Sequence, residues 1–153
     1  MRWRRIKSER GVSMVELAIV LPILLVVLFG IVEFSLILYD KAIITNASRE
    51  GARGGIVFRS DPNTGNYSPL DQTGITTVVN NYLGNYLISF GSAPVASTTV
   101  VPSQCPPPTA TPPRQIAVTV VYPYTFLVLP NFAAGLVGMN PLNISAVTVM
   151  RCE

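Results

Sequence analysis

The dominant feature of the chain is a nearly uninterrupted apolar run close to its N-terminus. Residues 12–39 contain only two charged side chains, Glu16 and Glu33, and the stretch 17–32 contains none. At ~1.5 Å per residue, a helix of this length crosses the ~30 Å hydrocarbon core of a bilayer. A soluble domain of this size could hardly bury so continuous a stretch. The pattern therefore predicts a transmembrane helix over 12–39.

The helical pattern continues past the apolar run. A sustained apolar stripe and the absence of proline predict that the same helix extends through residues 40–55, to about Arg53, where the pair Gly54–Gly55 ends it. Residues 56–72 are polar and rich in turn formers, and they predict a loop. The region that follows, together with this loop, forms the outer domain, residues 56–153.

A second helix is predicted over 72–88. Its apolar residues recur at the spacing i, i+3, i+4, i+7, i+8, i+11 and i+12, which places them on one face. The members of this stripe are Ile75, Val78, Val79, Tyr82, Leu83, Tyr86 and Leu87. We expect the stripe to be buried against the first helix.

The rest of the outer domain alternates between strand signals and proline-rich connections. Residues 115–122 and 142–151 are rich in β-branched residues with period-two character, and they predict two strands, with 95–101 as a third strand at the edge. The segment 94–113 holds seven of the 13 prolines and predicts a stiff, exposed, extended connection. The apolar stretch 126–140 predicts a turn or short helix on the sheet or membrane surface.

These elements together predict the α+β fold class: a single long N-terminal transmembrane helix followed by a small domain with a second helix and a short antiparallel sheet. Two strands of this kind, paired antiparallel, bring the start of the first beside the end of the second.

The charge distribution sets the orientation of the predicted span. Residues 1–11 carry five basic side chains against one acidic side chain, a net charge of +4, whereas residues 54–153 are neutral overall. Basic residues accumulate on the cytoplasmic side of membrane helices, so we expect a cytoplasmic N-terminus and an extracytoplasmic outer domain. The basic residues of this leader are Arg2, Arg4, Arg5, Lys7 and Arg10. The absence of a basic face elsewhere argues against nucleic acid as a partner.

The composition excludes most catalytic chemistry. The chain contains no histidine and only two cysteines, which removes imidazole acid–base catalysis, histidine-ligated zinc and four-thiolate metal sites. Phosphate-binding glycine loops are also missing. We therefore predict that the protein is not an enzyme, that its function requires no cofactor or metal, and that it acts by position and contact.

The junction between leader and helix carries a motif. Gly11 ends the basic leader, Val12 opens the apolar helix, and Glu16 is the fifth residue after the glycine. This arrangement resembles the processing site of type IV prepilins and pseudopilins. The resemblance implies cleavage between Gly11 and Val12 by a prepilin peptidase on the cytoplasmic side.

A longer motif narrows the resemblance. The run from Phe29 to Gly55, with F-G-x-x-E-F early and R-E-G-A-R at its end, is similar to the TadE-like family of the tight-adherence (Tad) pilus system. The motif residues are Phe29, Gly30, Arg49, Glu50, Gly51, Ala52 and Arg53. The resemblance covers residues 11–55 and is looser over 122–153. It implies a minor pilin or pseudopilin that supports pilus assembly or adhesion, with other pilins and the assembly machinery as partners.

The two carboxylates of the apolar run have different interpretations. A carboxylate inside a membrane costs on the order of 2.5–3.5 kcal/mol. Glu16 either faces water at the cytoplasmic interface or sets helix register in a filament, where the new Val12 amine of a neighbour neutralises it. The position relative to Gly11 favours the register role. Glu33 lies ~25 Å further along, near the outer interface, where solvation and helix–helix contact are equally good interpretations.

Cys105 and Cys152 are predicted to form a disulfide, because an exported domain is in an oxidising compartment and the expected strand pairing brings the two residues together. An intermolecular bridge or a metal shared between subunits is the alternative.

The resulting hypothesis is a single-pass protein of the cytoplasmic membrane that is incorporated into a surface pilus. The alternative is a permanently anchored envelope protein that presents its outer domain as a binding module and never enters a filament.

Overall fold

The computed structural model describes residues 9–60, 67–89, 95–107, 109–111, 114–126 and 141–152. Over these residues the chain forms two helices and five strands in two antiparallel sheets. The elements are α1 (Glu9–Ile56), β1 (Arg59–Ser60), β2 (Tyr67–Ser68), α2 (Gln72–Tyr86), β3 (Ser97–Val101), β4 (Gln115–Tyr124) and β5 (Leu142–Arg151). This arrangement confirms the predicted α+β class. Most of the basic leader and of the apolar stretch 126–140 lie outside the described residues.

Helix α1 joins the predicted transmembrane segment and its continuation in one helix of 48 residues. It ends at Ile56, so the prediction that Gly54 and Gly55 stop the helix is wrong. Both glycines lie inside α1, and other side chains pack closely on Gly55. A Cβ atom on Gly55 would lie 2.7 Å from Cδ1 of Ile75, closer than real Cβ contacts allow. The missing side chain therefore serves the contact between α1 and α2.

Helix α2 has a defined start and end. Oδ1 of Asp71 accepts a 2.8 Å hydrogen bond from the backbone N–H of Gly74, which satisfies one of the free amides of the first turn. At the other end, Leu87 turns to an extended conformation while its N–H still donates to the carbonyl of Leu83 at 2.8 Å. The predicted helix is confirmed and is two residues shorter than expected. The buried members of its stripe are Ile75, Val79 and Leu83.

The main sheet has the strand order β3-β4-β5, with both pairs antiparallel. Thr119 of the central strand lies opposite Thr99 of β3 and Val147 of β5. All three predicted strands are confirmed, including the edge strand. Alternate residues of β4 face the helices and are buried, each contributing about 1.5–3 kcal/mol for a large apolar side chain. These residues are Ile116, Val118, Val120, Tyr122 and Tyr124.

The helices cover one face of this sheet, with α1 against β4 and β5 and α2 against α1 and β3. A Cβ on Gly51 of α1 would lie 3.5 Å from Val118 of β4, and one on Gly55 would lie 3.2 Å from Ile116. The chain directions of α1 and β4 are therefore opposed. We call the end of the domain with Gly55 and Ile116 the distal end. The opposite end, from which the N-terminal half of α1 leaves, is the proximal end.

Two of the predicted irregular segments contain more structure than expected. Residues 56–72 include the last residue of α1 and the short β1–β2 ladder, in which Arg59 pairs with Ser68. The proline-rich connection is not wholly exposed. Val100 and Cys105 are both buried and belong to the core.

Cys105 and Cys152 are joined by a disulfide at the distal end. The Sγ–Sγ distance is 2.01 Å and the Cα–Cα distance is 5.8 Å. Cys152 directly follows β5, and its N–H donates to the carbonyl of Arg114, just before β4, at 2.9 Å. The antiparallel β4–β5 pairing thus places the end of the described chain beside the proline-rich connection.

Candidate functional site

The N-terminal half of α1 projects away from the domain. Every residue from Gly11 to Val32 is exposed, except Gly30, which is partly buried. No part of the described structure covers this segment. Among the described residues, α1 is the one helix long and apolar enough to cross a membrane. The 22 residues 11–32 extend ~33 Å, close to the thickness of a hydrocarbon core. This exposed rod is the candidate functional surface.

The residues of the expected processing site lie at the start of this rod. Gly11 and Val12 are both helical, so the helix runs through the expected cleavage position without a break. Gly11, Val12, Val15, Glu16 and Ile19 lie on one exposed face of the helix. This face combines a single carboxylate with apolar side chains. Such a surface suits a partner that brings one positive charge on an apolar body.

Phe29 and Gly30 of the family motif belong to the same exposed rod. A Cβ atom on Gly30 would meet no other atom within 4 Å, so no contact within the described part of the chain requires a glycine there. In membranes, small residues permit helix backbones to approach closely. Gly30 is therefore available for contact with another helix.

The second part of the motif lies at the distal end and is split between two faces of α1. Gly51 and Ala52 are buried against the domain, whereas Arg49, Glu50 and Arg53 are exposed. A Cβ on Gly51 would lie 2.6 Å from Cγ2 of Val79. The small residues of the motif thus fix the packing of α1 on α2, and the charged ones remain accessible.

Glu33 lies at the boundary between the rod and the domain. It is 1% exposed, and its Oε1 accepts a 2.5 Å hydrogen bond from the hydroxyl of Tyr124 at the end of β4. In the described structure this carboxylate thus lies against β4, and its contact with a helix of another subunit stays a prediction. Burial raises the pKa of Tyr124, and the hydrogen bond to Glu33 adds to this increase. The sequence indicated no partner for Glu33 because Tyr124 is 91 positions away.

Asp40 is a second buried carboxylate that the sequence analysis did not single out. It lies two turns after Glu33 on the same face of α1 and is 1% exposed. Among the described residues, neither of its carboxylate oxygens has a hydrogen-bond partner. Burial raises its pKa to about 6, opposed in part by the nearby backbone amide of Ile88. Burial also raises the pKa of Tyr122, and the negative charge of Asp40 adds to that shift.

The described residues contain no group of three or more histidine, cysteine, aspartate or glutamate side chains that could hold a metal ion. Of the two buried carboxylates, Glu33 joins α1 to β4 through the hydroxyl of Tyr124, whereas Asp40 has no hydrogen-bond partner among the described residues. The exposed groups that a partner could contact lie on the rod.

Comparison with known proteins agrees with the location of this surface. Residues 11–53 match the family described as TadE-like protein, which confirms the resemblance seen in the sequence. The matched segment begins at the expected processing site and ends near the C-terminus of α1, so it leaves out α2 and the main sheet. No curated protein matches the chain significantly, and no solved structure does.

Proposed function

We propose that this protein, which carries a TadE-like segment over residues 11–53, is a minor pilin or pseudopilin of a Tad-type pilus. The observation that carries the proposal is the exposed apolar rod Gly11–Val32, continuous with a folded domain and contained within the matched segment. The rod anchors the protein in the cytoplasmic membrane before assembly. In the filament, the same surface packs against the helices of other pilins and supports assembly or surface adhesion.

The expected topology supports this role. The five basic residues of the leader favour a cytoplasmic N-terminus and place the domain outside the cytoplasm. The disulfide between Cys105 and Cys152 agrees with that location, because such bonds persist in oxidising compartments. The prepilin peptidase acts from the cytoplasmic side, where Gly11 and Val12 then lie.

Glu16 has the central part in the proposed assembly step. Cleavage after Gly11 creates a positive amine at Val12, four residues before Glu16. A neighbouring subunit brings its own Val12 amine to the helix face that carries Glu16, and the two charges neutralise each other in an apolar surrounding. An unpaired carboxylate in that place costs several kcal/mol, on the order of 2.5–3.5 on insertion scales, so the pair fixes the axial register of the helices.

The first experiment tests processing in the native host. Mature protein recovered from membranes and from sheared pili is analysed by N-terminal sequencing and intact mass. We expect Val12 as the first residue, and we expect a bulky or charged residue at Gly11 to block the cut. Recovery of assembled material that begins at Met1 contradicts the proposal and favours a permanently anchored binding module.

The second experiment compares two glutamates of the same helix. Glu16→Ala is expected to leave the protein inserted and its disulfide formed, but to abolish its recovery with pilus partners. Glu50→Ala, on the exposed distal part of α1, is the matched control and should retain partner recovery. Unchanged recovery of Glu16→Ala contradicts the register role. Loss of membrane insertion in that variant contradicts it as well.

A further inference from the structure

Helix α1 has two different faces between Glu33 and Tyr39. The inner face packs against the domain, with Glu33 buried and Leu36 and Ile37 partly buried. The outer face remains apolar and uncovered in the described structure, since Phe34 is 60% exposed and Leu38 is 53% exposed. Over these two turns, one side of the helix packs against the domain, whereas the other side is apolar and exposed like the rod.

The lengths of these segments match the zones of a bilayer. The exposed rod 11–32 extends ~33 Å, and the apolar outer face continues through Tyr39 to a total of ~43 Å at 1.5 Å per residue. A bilayer has a hydrocarbon core of ~30 Å and a thickness of ~40–45 Å with both headgroup layers, so each layer is ~5–8 Å thick. With residue 11 at the inner edge of the hydrocarbon core, the core ends near residue 31, and the two-faced segment 33–39 begins within the outer headgroup zone.

The first outward charge after the rod lies above this zone. Lys41 is exposed, and its Nζ donates to the backbone carbonyl of Ser145 on β5. From there on, the outer face of α1 carries Arg49, Glu50 and Arg53. The change from apolar to charged side chains thus occurs directly above residue 39.

The C-terminal end of α2 lies at the same height. The hydroxyl of Tyr39 donates a 3.2 Å hydrogen bond to the carbonyl of Tyr86, and the backbone amide of Ile88 lies beside Asp40. Tyr86 is 52% exposed, and Ile88 is also exposed. Residues 72–113 contain no charged side chain at all. At the proximal end, aromatic and aliphatic side chains are therefore exposed to lipid headgroups, and residues 72–113 place no charge among them.

We propose that the outer domain is seated on the bilayer through a proximal collar, formed by Phe34, Leu38, Tyr39, Tyr86 and Ile88. Its partner is the headgroup zone of the outer leaflet, and the inference rests on the membrane anchoring proposed above. Tyrosine suits this zone because its ring is apolar and its hydroxyl is polar. Continuity with the rod favours lipid as the occupant, since the collar begins where the spanning segment ends.

The collar also explains the burial of Glu33. At the height where hydrocarbon gives way to headgroups, a carboxylate that pointed outward would contact lipid. The domain instead covers the Glu33 carboxylate, and the hydroxyl of Tyr124 donates a hydrogen bond to it. Seating the domain at this depth therefore shields the charge from the apolar layer.

The test measures depth in the membrane by fluorescence quenching. Trp3 is the only tryptophan, so the background is full-length protein with Trp3→Phe, reconstituted in phosphatidylcholine vesicles with brominated acyl chains. Single tryptophans replace Val26 in the rod, Tyr86 in the collar, and Tyr67, which is 74% exposed at the distal end. Tyr67→Trp is the matched control, because it also replaces an exposed tyrosine. Ile88→Trp provides a second collar position if Tyr86→Trp fails to form the disulfide.

We expect quenching to be strongest for Val26→Trp, at least twofold weaker for Tyr86→Trp, and near background for Tyr67→Trp. Strong quenching at Val26 with equal values at Tyr86 and Tyr67 overturns the collar and leaves the anchoring intact. Absence of quenching at Val26 overturns both. Quenching at Tyr86 that disappears as the protein-to-lipid ratio rises assigns the collar to a second copy of the chain and overturns the lipid assignment.

Discussion

The hydroxyl of Tyr124 donates a 2.5 Å hydrogen bond to Oε1 of Glu33, and this contact joins the end of β4 to the point where α1 leaves the domain. Both side chains are buried. The contact therefore fixes α1 to the end of the sheet at the point where the exposed rod begins.

Removal of the Tyr124 hydroxyl should weaken this connection. Tyr124→Phe keeps the ring but takes a donor from a buried carboxylate, and we expect the free energy of unfolding to fall by about 1–3 kcal/mol. The measurement is denaturant unfolding of the full chain in detergent micelles, followed by near-ultraviolet circular dichroism. Tyr67→Phe, at an exposed tyrosine, is the control and should change little. Equal stabilities of the two variants would contradict the role assigned to the contact.

Gly51→Ala should destabilise the packing of α1 on α2. The added Cβ would lie 2.6 Å from Cγ2 of Val79, and a β-branched valine in a helix has little freedom to move aside. We expect a loss of about 1–3 kcal/mol, measured by the same unfolding experiment.

Gly84→Ala is the matched control for that substitution. Gly84 is exposed inside α2, and a Cβ there meets nothing within 4 Å. Alanine is a better helix former than glycine, so this variant should gain about 0.5–1 kcal/mol. A stabilising effect of Gly51→Ala, like that of Gly84→Ala, would show that the close approach at Val79 is unimportant.

Asp40 should make the stability depend on pH. Burial raises the pKa of its carboxyl to about 6 from an ordinary value of 3.8. Between these values the folded state keeps a proton that the unfolded state releases, so stability falls as the pH rises and levels off above about pH 6. Asp40→Asn removes this titration. We expect it to be more stable than the wild type at about pH 7.5, by on the order of 1 kcal/mol, with the difference disappearing near pH 4. A pH-independent difference would contradict the assignment.

The disulfide between Cys105 and Cys152 closes a loop of 48 residues. The chain-entropy model gives about 4 kcal/mol for a loop of that length, so the double variant Cys105→Ser, Cys152→Ser should lose a large part of the domain's stability. Non-reducing gels and thiol labelling test the pairing itself. An intramolecular bond keeps the monomer band and blocks labelling until reductant is added. A reductant-sensitive dimer would instead indicate a bridge between chains.

Much of the fold was predictable because its signals are local. The apolar run of α1, the stripe of α2 and the alternation in β4 and β5 each repeat at the period of the element that they form. The cysteine pairing followed from the order of two strands. The family resemblance rested on short motifs, and these lie within the segment 11–53 that matches the TadE-like family.

The features that the sequence did not predict depend on contacts between elements that are far apart along the chain. Gly54 and Gly55 have the composition of a helix end, yet they lie inside α1, where Ile75 and Ile116 pack closely on Gly55. The short β1–β2 ladder and the buried Val100 were missed for a related reason. Their neighbours come from distant parts of the chain.

Periodicity and charge along the chain suffice to predict a long apolar N-terminal helix, a basic leader and an α+β domain. The boundary between the rod and the domain depends instead on tertiary contacts. Glu33 and Asp40 appear in the sequence as charges near a membrane boundary, but both side chains are buried, and Glu33 accepts a hydrogen bond from Tyr124. A helical pattern specifies which residues share a face, whereas the environment of that face depends on contacts between residues far apart in sequence.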